Sequence, residues 1–402
     1  EMSNSTIGNS NSPLPQDWRW VKLGEVCEID SNQVLPNAPE VKQLPYIGLE
    51  HIESETGRII GTVNDPNGKL IQSTTFRFNS SHVLYGKLRP YLNKVAFPDF
   101  EGRCTTELLP LLPVHECDRC YLAWFLRRSE TVDEAMRHKT GTRMPRADMN
   151  ELFRMLIPLP PLSEQKRIAA RVQELMAEVG NARTASEAQL EAAKTLPSAY
   201  LRQVFESEEA KKWERSRLGE VCEVVTGNTP SRNVPDNYGA YLPWVKPEDL
   251  DREMYIKDTQ EYLSPLGAKR ARILPRGAVM VSCIGNLGKV GIAGSKLATN
   301  QQINSLIPNP EVDSEFLYFY CYTLQSTLEK LSASTTLRIV NKTAFASAKI
   351  PIPHLSIQQR IASELKEKIA QAEKLKAAVE KQLEAINAFP QAILRRAFRG
   401  EL

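Results

Sequence analysis

The sequence predicts an α+β protein of two globular domains, each followed by a long helix. The two helices are expected to pair as an antiparallel two-helix coiled coil, with an internal pseudo-two-fold repeat relating the halves. Three observations carry this. The hexapeptide Leu23-Gly24-Glu25-Val26-Cys27-Glu28 recurs as Leu218-Gly219-Glu220-Val221-Cys222-Glu223. A second phrase, Ile157-Pro158-Leu159-Pro160-Pro161-Leu162-Ser163-Glu164-Gln165-Lys166-Arg167-Ile168-Ala169, recurs as Ile350-Pro351-Ile352-Pro353-His354-Leu355-Ser356-Ile357-Gln358-Gln359-Arg360-Ile361-Ala362. Each copy of that phrase opens onto a long stretch, 163–196 and 356–389, free of proline and rich in Ala, Glu, Lys, Arg and Leu.

Other positions keep the period. Trp18 maps onto Trp213, Asn93-Lys94-Val95 onto Gly288-Lys289-Val290, and Tyr121-Leu122-Ala123-Trp124-Phe125 onto Phe316-Leu317-Tyr318-Phe319-Tyr320. Arg143 is expected to fall on Arg338, with the offset shortening only beyond it. Leu196-Pro197 then matches Phe389-Pro390.

A chain of 402 residues is too long for one ordinary core. Its 25% charged and 42% hydrophobic residues are those of a soluble protein. A net charge of +3 neither announces nor excludes a polyanionic partner, because local distribution outweighs the sum. No window holds the roughly 18 apolar residues of a membrane span, so no membrane association is expected. Seven scattered cysteines fit reduced thiols and a cytoplasmic location.

In chain order, residues 1–16 are rich in Ser and Asn without an apolar run, and are expected to be a flexible tail and not a signal peptide. Residues 17–160 and 213–353 carry short β-type runs, such as Val83-Leu84-Tyr85 and Val279-Met280-Val281, between turn signals such as Asp65-Pro66-Asn67-Gly68 and Pro275-Arg276-Gly277. Each reads as a compact α+β domain. Residues 161–206 and 354–402 are the helical regions, and 207–212 a linker. Ser163 and Ser356 stand where N-caps belong. Pro197 and Pro390 are expected to kink or end the helices, leaving short amphipathic tails, Ala199 to Phe205 and Ala392 to Phe398.

Apolar residues along these helices recur in alternating steps of four and three. The expected seam is Ile168, Val172, Leu175, Val179 and Leu196 in the first copy, with Ala182, Ser186, Gln189 and Ala193 completing the series. In the second copy it is Ile361, Leu365, Leu375, Val379 and Ile386, with Ala372 and Phe389; Lys368 and Gln382 interrupt it. A helix of this length, about 50 Å, cannot hide its stripe on a small domain, but it can bury it on its twin. Homodimerisation through the same seam is the competing outcome; two copies in one chain favour pairing within the chain.

No reaction is written into the residues. His115 and Cys117-Asp118-Arg119-Cys120 offer half a zinc site with no second ligand pair, so no metal is expected. Gly285-Asn286-Leu287-Gly288-Lys289 lacks the first glycine and the final Ser/Thr of a phosphate loop. No dinucleotide fingerprint, nucleophile elbow or paired-histidine zinc motif occurs. Cys27 and Cys222 sit in strand-like contexts and read as structural.

The basic clusters are more informative. They carry Lys87, Arg89, Tyr91, Asn93 and Lys94, then Arg143 and Arg146, in the first domain. The second carries Lys269-Arg270-Ala271-Arg272, Ser282, Asn286 and Lys289, Asn300 and Gln301, and Thr335-Thr336-Leu337-Arg338. Arg and Lys neutralise phosphates, Arg reads guanine, and Asn or Gln reads adenine. These thirteen positions — Lys87 through Arg146, Ser282 through Gln301, and Arg338 — are the expected DNA contacts. The competing reading of any one cluster is a solvated surface.

Two globular domains, each followed by I-P-x-P-x-L-S-x-Q-x-R-I-A and a long helix, resemble the specificity subunit of type I restriction–modification systems. The phrases Tyr46-Ile47-Gly48-Leu49-Glu50-His51-Ile52 and Leu84-Tyr85-Gly86-Lys87-Leu88-Arg89-Pro90-Tyr91 are similar to those of the family's target recognition domains, and Phe398-Arg399-Gly400-Glu401-Leu402 to its usual ending. The resemblance implies a non-catalytic subunit whose two domains each read half of a bipartite target in double-stranded DNA. It implies that the antiparallel coiled coil fixes the spacer; reading positions about one DNA turn apart, roughly 34 Å, would suit a rod of this length. It implies docked DNA adenine methyltransferase subunits, and restriction–translocase subunits where present. S-adenosylmethionine, ATP and Mg would be bound by those partners and no cofactor by this chain. The two domains differ outside the shared phrases, so two unrelated half-sites are expected. The alternative is a coiled-coil interaction scaffold without DNA readout.

Overall fold

The computed structural model describes residues 14–65, 70–332 and 338–402. Most of the expected tail, the turn residues Pro66-Asn67-Gly68, and Thr335-Thr336-Leu337 lie outside the described residues. The chain divides into two compact units, Glu1–Glu187 with Lys381–Leu402, and Ala188–Glu380.

The repeated hexapeptide has the same structure in both units. An edge strand, Arg19–Lys22 or Arg215–Arg217, runs into one helical turn, Leu23–Val26 or Leu218–Val221, and out into a sheet strand, Cys27–Ile29 or Cys222–Thr226. The leucine that opens the turn is fully buried, and its N–H donates to Met155 O or Ala348 O, both at 2.8 Å. A Cβ on Gly24 would stand 3.1 Å from Phe153 Cβ, and one on Gly219 3.1 Å from Ala346 Cβ. The glycine therefore admits the neighbouring chain. Each edge strand pairs antiparallel with the segment that begins the junction phrase, Leu156–Leu159 or Lys349–Pro351. The prolines there are tolerated because both ribbons are two-stranded.

Each unit then builds two sheets. In the first unit one runs in the order Cys27–Ile29, Leu108–Pro113, Val83–Gly86, Val95–Ala96, and is antiparallel throughout. The second unit repeats it as Cys222–Thr226, Ile303–Pro308, Val279–Ser282, Val290–Ala293, and adds Tyr255–Ile256 in parallel at the edge. Against it lies an apolar helix, Arg119–Leu126 or Ser314–Thr323. Asp118 and Asp313 cap these helices by accepting from Tyr121 N and Phe316 N. Tyr121, Trp124 and Phe125 in the first, and Phe316, Tyr318, Phe319 and Tyr320 in the second, are buried in the core.

The long helices run Leu162–Phe205 and Leu355–Ala397. Within the first unit the start of the first helix packs with the end of the second: Ile168 and Val172 share a core with Leu394 and Phe398. Within the second unit Leu201 and Phe205 share a core with Ile361 and Leu365. The pairing is therefore antiparallel. Phe398 packs on Tyr121 and Phe125, centroids 4.8 and 5.4 Å away, and Phe205 on Phe316 and Tyr320 at 5.4 and 5.2 Å.

Three expectations about these helices need correction. Each begins one residue before its serine, so Ser163 and Ser356 lie inside the first turn. Pro161 O and His354 O accept the first helical bonds instead, and the His354 ring meets Ser356 Oγ at 2.9 Å. Of the two outcomes expected at Pro197 and Pro390, the helix end does not occur. The helices continue through them, because each proline forfeits one N–H bond while Leu201 and Phe205, or Leu394 and Ala397, are buried in a core beyond it.

The seam is also narrower than predicted. Ile168, Val172, Ile361, Leu365, Val379 and Ile386 are buried, as are Ser186, Ala193 and Ala372. Leu175, Val179 and Leu196 are only half-buried, Ala182 and Gln189 are exposed, and Leu375 and Phe389 are 49% and 51% exposed. Beyond Ile168 and Ile361, which are buried in the cores of the two units, one row, Val172, Ser186, Ala193, Leu365, Ala372, Val379 and Ile386, carries the burial.

Candidate nucleic-acid interface

The two repeats of the junction phrase hold each globular fold to its helix by the same device. Gln165 is fully buried. Its side-chain carbonyl accepts from Asp118 N at 2.8 Å, and its amide donates to Glu116 O and Pro160 O, both at 2.8 Å. Gln358, also fully buried, accepts from Asp313 N at 2.9 Å and donates to Glu311 O and Pro353 O at 3.0 and 2.8 Å.

At the other end of the central strand, both units weave one more shared pattern. In the first, Lys87 N donates to Glu107 O at 3.0 Å, Ala147 N to Lys87 O at 2.9 Å, and Arg89 N to Pro145 O at 2.6 Å. In the second, Cys283 N donates to Gln302 O at 2.8 Å, Val340 N to Cys283 O at 2.8 Å, and Gly285 N to Arg338 O at 3.0 Å. The bridges Leu88 with Arg146 and Ile284 with Ile339 are the matching positions. Each unit thus presents an edge where three segments distant in sequence meet. The pattern also corrects the alignment: Arg338 corresponds to Pro145 and not to Arg143, so the offset shortens earlier than the sequence suggested.

In the first unit this edge gathers Lys87, Arg89, Tyr91, Arg143 and Arg146. Arg89 and Arg143 are exposed, and neither guanidinium has a partner among the described residues. Arg89 adopts φ +51°, an unusual left-handed conformation for a residue other than glycine. Tyr91 is 47% exposed. Arg146 is committed elsewhere: its guanidinium clasps Glu107 at 2.6–3.1 Å, which raises its already high pKa. That clasp fixes a short hairpin, Lys139–Thr140 with Arg146–Ala147, whose tip is 141–145. Lys94 donates to Leu49 O at 2.6 Å and serves as a strut.

Asn93 is not a surface residue. It is buried at φ +49°, donating to Glu55 Oε2 at 3.1 Å and Arg127 O at 2.9 Å, so it ties its turn to two distant segments. The same correction applies to Ser282 and Asn300. Ser282 is fully buried, accepting from Lys289 N and donating to Asn286 O, which closes the glycine turn. Asn300 is buried, bonded to Gln302 through both ends of its amide. Polar residues at tight turns satisfy their own backbone first.

The second unit's edge exposes Asn286, Gln301 and Arg338, with Lys289 half-buried. Gln301 accepts from Thr229 Oγ1, and Arg338 meets Glu329 at 2.8 Å. Gly285 and Gly288, at φ +77° and +83°, allow the tight loop carrying Asn286. Sequence reasoning missed Asn228, which donates to Arg270 O at 2.8 Å and accepts from Arg272 N at 2.9 Å. It thereby ties the exposed 269–272 cluster to the same edge. Its signal was the turn-forming run Gly227-Asn228-Thr229-Pro230.

Nothing on these edges resembles a reaction centre. Among the described residues no group of three or more His, Cys, Asp or Glu could hold a metal ion, and all seven cysteines are free. Burial pushes the Cys117 thiol up to about 12. No helix among the described residues is long and apolar enough to cross a membrane.

Known proteins share this arrangement. The family model described as type I restriction modification DNA specificity domain matches twice, over residues 15–192 and 210–385. The type I restriction enzyme MjaIX specificity subunit of Methanocaldococcus jannaschii is 30% identical over 39% of this chain and 37% of its own length. The chain spans less than half the length of the first curated relatives it matches. The HsdS subunit of Thermoanaerobacter tengcongensis superposes with a TM-score of 0.70 at 26% identity, covering 98% of this chain and 99% of that one. A chain solved in work on complex assembly and conformational transition of the type I R-M system gives 0.78 at 26% identity, covering 97% and 100%. With both units matched over most of their length, the chain belongs to the type I restriction modification DNA specificity domain family.

Proposed function

We propose that this chain is the non-catalytic DNA-recognition subunit of a type I restriction–modification complex, with each unit reading one half of a bipartite, asymmetric target. The observation that carries this is the duplicated edge. The same backbone weave recurs in both units, yet it displays Lys87, Arg89, Tyr91 and Arg143 in one and Asn286, Gln301, Lys289 and Arg338 in the other. A shared frame with different donors suits two different base sequences.

DNA adenine methyltransferase subunits are the proposed partners, docked on the paired helices, with restriction–translocase subunits as further ones. S-adenosylmethionine, ATP and Mg belong to those partners, and the complex works in the cytoplasm. The free cations at the edges support phosphate contact, so the chain with its methyltransferase should bind the target with a steep salt dependence. Methylation mapping of a genome with and without this gene tests the reading. Two unrelated half-sites at a fixed spacing are expected; no change in the methylation pattern overturns it.

A further inference from the structure

At the tip of the 139–147 hairpin, next to the unpartnered Arg143, the side chain of Met144 is 47% exposed. The hairpin is a two-stranded ribbon with a rigid root. Arg146 is held by Glu107, Lys87 O and Pro145 O take part in the backbone weave, and Gly141 turns the tip at φ +81°. The chain therefore invests order in a projection whose end is one free cation and one apolar side chain. Lys139, on the hairpin's own first strand, and Arg89, on the segment laced to Pro145, are both exposed.

We propose that this hairpin enters the major groove of the first unit's half-site, and that Met144 reads the C5-methyl of a thymine beside a guanine held by Arg143. The inference rests on the proposed DNA-recognition function. A two-stranded ribbon fits the major groove, which is about 12 Å wide. The base edges there carry polar donors and acceptors, and thymine alone adds an apolar group, its methyl. An apolar tip that must lose water on docking is matched by that methyl and by no other base. Arg143 has no ion-pair partner among the described residues and breaks no ion pair with them when it turns to O6 and N7 of guanine. The unbranched thioether of Met144 adapts to the methyl without strain.

The test uses the full chain in complex with its methyltransferase subunits, on the target found by mapping. Each thymine of the first unit's half-site is replaced in turn by deoxyuridine, which removes only the methyl. One position should weaken wild-type binding about fourfold, the worth of one buried methyl. Met144→Ala should bind the thymine duplex more weakly by a similar factor and no longer distinguish deoxyuridine from thymine there. Met144→Leu should still distinguish them. The salt slope should not change in either variant.

The proposal is overturned if no thymine is sensitive, or if Met144→Ala remains as sensitive as wild type. It is also overturned if Met144→Ala weakens every duplex equally, the sign of insertion at a base step. Failure of the wild-type complex to prefer the mapped target would instead overturn the functional reading beneath it.

Discussion

The backbone N–H of Asp118 donates to the side-chain carbonyl of Gln165 at 2.8 Å, across 47 residues of chain. Asp118 caps the core helix of the first unit, and Gln165 lies in the first turns of the long helix. One amide therefore couples the orientation of the globular core to the helix that leaves it. Gln358 and Asp313 repeat the coupling in the second unit.

Replacing Gln165 by Leu removes the partner of one backbone donor and two backbone acceptors, Asp118 N and Glu116 O at part-buried positions and Pro160 O in the interior. We expect a loss of about 3–5 kcal/mol, seen as a lower midpoint in denaturant unfolding, and the same for Gln358→Leu. A loss below about 1 kcal/mol in both would mean that water replaces the amide and the coupling is weak.

Asn93 separates a structural from a DNA-contacting role. Asn93→Ala removes two hydrogen bonds and leaves a left-handed residue without its preferred side chain, costing about 2–3 kcal/mol. Asn93→Gly should recover part of that, because glycine accepts the backbone angle. Recovery in thermal unfolding, with DNA affinity unchanged at low temperature, is the expected pair of results.

Arg146 is expected to act on DNA binding through Glu107. Arg146→Ala should weaken binding by loosening the hairpin root. The exchange Glu107→Arg with Arg146→Glu should restore much of it, since the clasp is re-formed with its ends swapped. A double variant as weak as the single one would place Arg146 directly on phosphate.

The narrow seam makes an unequal prediction for residues one step apart. Leu375→Gln, at an exposed position, should change stability by less than about 0.5 kcal/mol. Ala372→Leu, at a buried position, should destabilise by about 1–3 kcal/mol through overpacking. Thermal melts of the two variants decide it.

Glu261 gives a pH dependence. Hydrogen bonds, first from Lys246 and then from Arg232, hold its carboxyl below the usual carboxylate range. A depressed carboxylate contributes stability above its unfolded pKa and loses it as pH falls through the folded one. Partial exposure makes the contribution modest. Wild type should therefore lose more stability on acidification below about pH 4.5 than Glu261→Gln does.

The sequence by itself determined the repeat, the α+β halves, the two long helices and their pairing. Hydrophobic period and helix propensity are local properties, and a duplicated phrase such as Leu23-Gly24-Glu25-Val26-Cys27-Glu28 is visible without coordinates. Tertiary structure alone decided which polar residues face outward. Asn93, Ser282 and Asn300 have the composition of base readers, yet each is buried: Ser282 and Asn300 satisfy backbone groups of their own turns, and Asn93 bonds Glu55 and Arg127 O, both more than thirty residues away. It also decided which half of the seam is buried, since how closely two backbones approach depends on the side chains of both helices at once. The meeting of residues 87–89 with 145–147, and of 283–285 with 338–340, lay beyond reach for the same reason. Hydrogen bonds between segments so far apart in the chain leave no periodicity in either one.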